Sequence, residues 1–393
     1  MKKLLYLFLT FCALMSVSCR MPNQNEAFYD IRIGVILPLS GEYAEAGKAA
    51  LDGIETAVRE IHRTGGIDSR KIQLIIKNSA NNAGNAEQMA KDMIEKDNIV
   101  ALVGTYSSNE AVAVKLEAEK YGVPFVASMA SYEKLVEHSN YTFQCAMSDE
   151  FQGAALASYL VFNRKYQKVA VMFNTDRNAL YQRSAALRAA QAYADFSSNE
   201  PLRFTYSGKD ESFANQIKQC IREDVDVIIL PEYAGTALRF ISEARRLGYR
   251  GAFAGCDAYD NKVLTESGEN LGICFFSTPY YSANKSEANI RFQSLMKKYH
   301  KRSGNFAEAM GYDSMFMLIK ALKGAYTPEE IAMNLKNMRS LNSVCGMLSY
   351  HERRKVLLHP VYIFGFSGSK KSIQLLHTVD AERLKNYRNR EKK

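Results

Sequence analysis

Two short polar turns hold the residues of this chain best suited to gripping a ligand. Thr105-Tyr106-Ser107-Ser108-Asn109 follows the apolar run 100–104 (VALVG), and Ala127-Ser128-Met129-Ala130-Ser131 follows a second run, Pro124-Phe125-Val126. Each turn leads toward a helix-forming stretch, 110–121 after the first and one opening at Glu133 after the second. Where strands end and helices begin, hydroxyls and unpaired backbone N–H groups converge, and such a place holds a carboxylate or other small anion. The same serines would also serve as plain helix caps. No general base, thiol or metal-ligand cluster lies beside the turns in sequence, so the chemistry on offer is capture rather than bond-making. The chain has no GxSxG, P-loop or HExxH pattern, and PLSGEYAEAG stands where a glycine-rich dinucleotide fingerprint would follow the first strand. His62, His138, His300, His351, His359 and His377 show no ligand spacing. No metal and no cofactor is expected.

The elements around these turns alternate. Residues 31–37 (IRIGVIL) form an apolar strand, and Leu51, Ile54, Val58 and Ile61 then mark one face of a helix that stops at Gly65-Gly66. A strand at 72–77, an amphipathic helix through Ala86, Ala90 and Met93, and the strand before Thr105 complete a doubly wound half. After Asp149 the pattern restarts: a helix at 154–163, a strand at 168–173 (KVAVMF), an alanine-rich helix at 181–194, a buried strand at 225–230 (VDVIIL) and a helix at 236–247. Three further helices, at 286–303, 310–323 and 328–339, precede closing strands at 348–350 and 360–366. The fold class is α/β, with parallel sheets in two similar units.

With 393 residues the chain can bury two cores. Lys2, Lys3 and the apolar residues 4–15 read as an export signal too short to span a bilayer. The sequence Ser16-Val17-Ser18-Cys19 resembles a bacterial lipobox, which implies cleavage before Cys19, a lipid on its thiol and a polar tether through residue 29; the serine at 16 departs from the leucine usual there. This places residues 1–18 in a signal peptide and the mature protein outside the cytoplasm, anchored to a bacterial membrane. The formal net charge of +9 does not indicate nucleic acid as a partner. The two signal lysines and a basic tail at 369–393, with eight basic against three acidic residues, carry most of it. Cys145, Cys220, Cys256, Cys274 and Cys345 are odd in number and form no CxxC. Cys256 and Cys274 would pair in an oxidising compartment, or all five are buried free thiols.

In order along the chain, IRIGVILPLSG, EIHRTGGI, VALVGTYSSNEA, YGVPFVASMAS, YTFQCAMSD, KVAVMF, DVIILPEYAG, EARRLGY, FAGCD and AMGYDSM resemble the branched-chain amino-acid-binding proteins of ABC transporters, the type I periplasmic binding family. The resemblance covers about residues 30–366. It implies two Rossmann-like lobes joined by three crossovers and closing on a small ligand: lobe one at 30–147 plus 278–347, lobe two at 148–277 plus 348–368. It also implies an ABC permease as partner and no enzymatic activity. The family's carboxylate-holding serine falls on Ser107, with Ser108 beside it. Its backbone carbonyl and hydroxyl for the ammonium and carboxylate fall on Met129 and Ser131. Its lobe-two tyrosines fall on Tyr181 and Tyr233, and its acidic ammonium partner on Asp257, one methylene shorter than the usual glutamate. The alternative implied by the same fold is a sensing or regulatory lipoprotein that acts through a protein partner.

Overall fold

The computed structural model describes residues 31–348, 360–367 and 370–379. Cys19, the export signal and the tether lie outside them. Two sheets organise the chain. The first is parallel throughout, in the order β2-β1-β3-β4-β5, from β1 (Ile31–Leu37), β2 (Ile72–Asn78), β3 (Ala101–Gly104), β4 (Phe125–Ala127) and β5 (Thr142–Gln144). The second has β6 (Val169–Asn174), β7 (Leu202–Tyr206), β8 (Val227–Ile229), β9 (Ala252–Gly255) and β10 (Ile273–Thr278) in parallel. The antiparallel β13 (Val361–Ser367) and β14 (Lys370–Val379) extend it beyond β10.

The inner strands of both sheets are buried on two faces, which is why runs such as β1, β3 and β8 read as continuous apolar stretches. In β1, Ile33 and Val35 face helices α1 (Ala44–Arg63), α10 (Phe306–Leu322) and α11 (Pro328–Lys336), while Ile36 faces α2 (Ala83–Lys96) and α3 (Ser108–Tyr121). In β6, Val169 and Val171 face α4 (Asp149–Ser158) and α5 (Leu180–Ser197). Ala170 and Met172 face α6 (Ala214–Arg222) and α7 (Ala234–Arg246) on the other side. A short α8 (Lys262–Thr265) follows β9, and α9 (Glu287–His300) packs beside α1. The tightest helix crossing joins α1 to α10. A Cβ on Gly53 would lie 2.0 Å from the carbonyl oxygen of Glu308, and one on Gly311 would lie 2.0 Å from that of Ala50.

Several expectations change. The stretch after Ser131 is a single 3-10 turn, Glu133–Val136, not a regular helix. The helix expected at 154–163 starts earlier, at Asp149, and ends in a π turn, Tyr159–Asn163. Of the strand expected at 348–350, Leu348 ends β12 (Gly346–Leu348), a hairpin arm paired with β11 (Leu341–Ser343), and residues 349 and 350 lie outside the described residues. Asp313 anchors that hairpin by accepting the backbone N–H groups of Val344 and Cys345 at 2.8 and 2.9 Å. The first part of the expected tail is strand β14, whose Lys370, Gln374, Leu375, His377, Thr378 and Val379 pair antiparallel with β13 despite the basic flank. Cys145, Cys220, Cys256, Cys274 and Cys345 are all buried and free. No helix among the described residues is long and apolar enough to cross a membrane.

Candidate ligand-binding site between the two sheets

The C-terminal ends of both parallel sheets deliver residues to one cavity. From the first unit come Tyr106 and Ser108 after β3, Met129 and Ser131 after β4, and Phe306 at the start of α10. From the second come Tyr181 on α5, Tyr233 after β8, and Asp257 and Ala258 after β9. Six of the seven residues expected from sequence thus line a single space. Ser107 does not. Its hydroxyl accepts the Glu110 backbone N–H at 3.4 Å and donates to the Glu110 carboxylate at 3.0 Å, closing a capping box at the start of α3. The cap directs the first turn of α3, with Ser108, at the cavity.

The cavity is small, about 30 Å³, room for about two water molecules. Tyrosine rings from both units meet at the cavity. Tyr43, just before α1, stacks on Tyr106 at 5.1 Å between centroids and meets Tyr233 edge-on at 5.2 Å. Tyr233 also lies 5.6 Å from Tyr106 and 5.4 Å from Tyr181. Such contacts contribute about 0.5–1.5 kcal/mol each beyond the area they bury.

The polar groups divide into two poles. One is the N-terminus of α3 with the Ser108 and Ser131 hydroxyls, which suits an anion. The other is Asp257, only 7% exposed. Burial pushes its carboxyl up to about 7, opposed by the Gln152 amide, which donates to Oδ2 at 2.9 Å. The Gln152 carbonyl accepts the Asp257 backbone N–H at 3.0 Å, so the acid's loop is held from both sides. Beneath Tyr233, buried Glu232 accepts from Asn174 Nδ2 at 2.6 Å, Tyr206 Oη at 2.8 Å and the Tyr233 backbone N–H at 3.0 Å. Burial raises its pKa against those donors.

Two features of the site escaped the sequence reading. Tyr43 lies in PLSGEYAEAG, where nothing but an aromatic after a turn marks it. Asp149 closes the stretch YTFQCAMSD, yet only the fold shows it to be fully buried, within electrostatic reach of Asp257 but outside the cavity lining.

An ionic clasp spans the units close to this site. Arg188, two turns along α5 from Tyr181, donates Nε and Nη2 to the Glu133 carboxylate at 2.9 and 2.7 Å. Glu133 stands two residues beyond Ser131. Arg188→Ala leaves Glu133 largely buried without this partner, and we expect a loss of about 1–3 kcal/mol in thermal unfolding. The difference from wild type should narrow as salt is raised, because half-buried pairs are partly screened.

Residues 30–371 match the family model described as periplasmic binding protein, and the chain belongs to that family. Among curated relatives, Leu/Ile/Val-binding protein homolog 7 of Brucella suis is 26% identical over 245 residues, 60% of each chain. The match therefore spans less than two thirds of that relative's length. Leu/Ile/Val-binding protein homolog 2 of Brucella abortus is 22% identical over 93% of this chain and 96% of its own. The fold resembles the leucine binding protein LivK of Thermotoga maritima, with TM-score 0.82, 20% identity, and 90% of this chain and 99% of that one covered. It also resembles LivJ of Streptococcus pneumoniae in complex with isoleucine, with TM-score 0.80, 22% identity, and 89% and 99% covered. A third neighbour is a solute binding protein of Rhodopseudomonas palustris in complex with 3,4-dihydroxybenzoic acid, with TM-score 0.77, 20% identity, and 89% and 97% covered. These matches are binding proteins rather than enzymes.

Proposed function

We propose that this protein is an extracytoplasmic substrate-binding lipoprotein that captures an amino acid or related small carboxylate and delivers it to an ABC permease. The observation that carries the reading is the pairing of an anion-gripping helix terminus with a buried acid across one cavity. A zwitterion satisfies both poles, and each pole is held by a different unit, so the ligand favours the closed arrangement. In this reading lobe one is 30–147 plus 278–347, lobe two is 148–277 plus 348–368, and Cys19 carries the membrane anchor. Ser107 acts through the cap it forms, while Ser108, Ser131 and the Met129 backbone meet the ligand. Neighbours of this fold hold either an amino acid or an aromatic acid; Asp257 favours the amine-bearing class.

A second reading, a sensing or regulatory lipoprotein of the same fold, draws on the tyrosine rings that already meet at the cavity. Thermal unfolding against the standard amino acids and small organic acids separates the two. A ligand present at a hundred times its Kd stabilises the protein by about 2.7 kcal/mol. If no candidate raises the midpoint and Asp257→Ala behaves as wild type throughout, the capture reading fails.

A further inference from the structure

The segment that joins β1 to α1 reaches out of the first unit and meets the second at three places. Gly41, at φ +81° in the left-handed region that glycine adopts freely, turns the chain, and its carbonyl accepts the Ala44 backbone N–H at 3.2 Å. Glu42 and Tyr43 stand on that turn. The Tyr43 ring contacts Tyr106 of its own unit at 5.1 Å and Tyr233 of the other at 5.2 Å. A Glu42 carboxylate oxygen lies 2.5 Å from where a Cβ on Gly235 would stand, so it rests against the first turn of α7. Tyr233 caps α7 without a side-chain bond, and the positive end of that helix therefore meets an acid from the opposite unit. Glu45 then pairs with Lys262 Nζ of α8 at 3.3 Å. None of Glu42, Tyr43 and Glu45 lines the cavity.

These contacts are made by the chain itself and need no ligand. Each tyrosine contact favours the closed arrangement by about two- to twelvefold. An acid at a helix N-terminus adds about two- to fivefold, and the exposed Glu45–Lys262 pair adds little. We propose that residues 42–45 form a strap that holds the two units closed in the ligand-free protein, with Tyr43 as its main contact. Tyr43 is thus a positioning residue for capture: it acts through Tyr106 and Tyr233, which line the cavity, and does not itself meet the ligand. Ligand enters through the minor open form, so the strap sets the rate of capture. It is made alike with and without ligand, and it therefore alters that rate more than the affinity. The strap is independent of which ligand class the cavity takes.

Distance measurement between two spin labels on the full-length protein tests this, the labels carried by non-natural residues at exposed Lys96 of α2 and exposed Lys218 of α6. Ligand-free wild type should show mainly one short distance. Tyr43→Ala should lower the ratio of short to long by about tenfold or more, whereas Tyr43→Phe, which keeps the ring, should match wild type. Gly235→Ala is the second variant: its methyl displaces only the flexible end of Glu42, and alanine favours a helix, so the fold should hold by circular dichroism. Its ratio should fall about two- to fivefold. Added salt should move wild type toward the long distance more than Gly235→Ala. With L-isoleucine as the probe, association and dissociation should both be about two- to fivefold faster in Gly235→Ala, with the affinity within about twofold of wild type. A long distance predominating in wild type overturns the proposal, as does a ratio unchanged in Tyr43→Ala or in Gly235→Ala. Slower association in Gly235→Ala also overturns it. Isoleucine binding to neither protein counts against the amino-acid reading alone, because the distances still decide on the strap.

Discussion

Asp257→Asn should weaken binding of an α-amino acid by about 10²–10³-fold, roughly 3–4 kcal/mol, as expected when one member of a desolvated charge pair is neutralised. Shape is preserved, and Asn retains a carbonyl that can still accept the Gln152 N–H. The loss is electrostatic and should appear mainly in the dissociation rate. Without ligand the sign reverses. The folded state holds the Asp257 carboxyl up at about 7, above the usual carboxylate range of an unfolded chain. Its contribution to stability is therefore complete below that usual range and is lost as pH rises toward about 7. Removing the titration should leave the ligand-free variant about 1–3 kcal/mol more stable than wild type near pH 8, and close to it near pH 4. Asp313, raised by burial to about 6, keeps a parallel pH dependence in both proteins. Denaturant unfolding at the two pH values, combined with calorimetric titration, reads both effects.

Gly53→Val should destabilise the first unit by about 3 kcal/mol or more. The added Cβ would fall 2.0 Å from the Glu308 carbonyl oxygen, a backbone atom of the facing helix that cannot swing aside. Glu308 is further fixed because its carboxylate accepts the Asn305 backbone N–H at 2.6 Å in the capping box of α10. To admit the side chain, α1 and α10 must separate, which opens the core between them around Ile54 and Met315. Phe306 opens α10 and lines the cavity, so ligand binding should weaken together with stability. Urea unfolding gives the size of the first effect.

Much of the fold was legible because strands buried on both faces announce themselves as runs such as IRIGVIL and VDVIIL, and because helical spacing put Ile54 and Val58 on one face. The site was legible in part. Ser108, Met129, Ser131, Tyr181, Tyr233 and Asp257 come together as the resemblance implied, whereas Ser107 was ambiguous because a capping serine and a ligand serine occupy the same kind of turn. The burial of Asp149 could not be read at all, because nothing in the local sequence marks this first-turn acid as buried. Strand β14 was hidden by its composition. KKSIQLLHTV begins with charge, and only the presence of β13 gives its backbone a ladder to join.

Calorimetric titration of the purified protein with L-leucine or L-isoleucine, set against the corresponding 2-oxo acids, tests the central claim most directly. Each pair shares carboxylate and side chain, and in the oxo acid a keto oxygen replaces the α-hydrogen and the ammonium group that Asp257 is proposed to hold. We predict that the amino acid binds at least about 100-fold more tightly than its oxo acid. Equal affinity for the two, or tight binding of an aromatic acid with none of either amino acid, would contradict it.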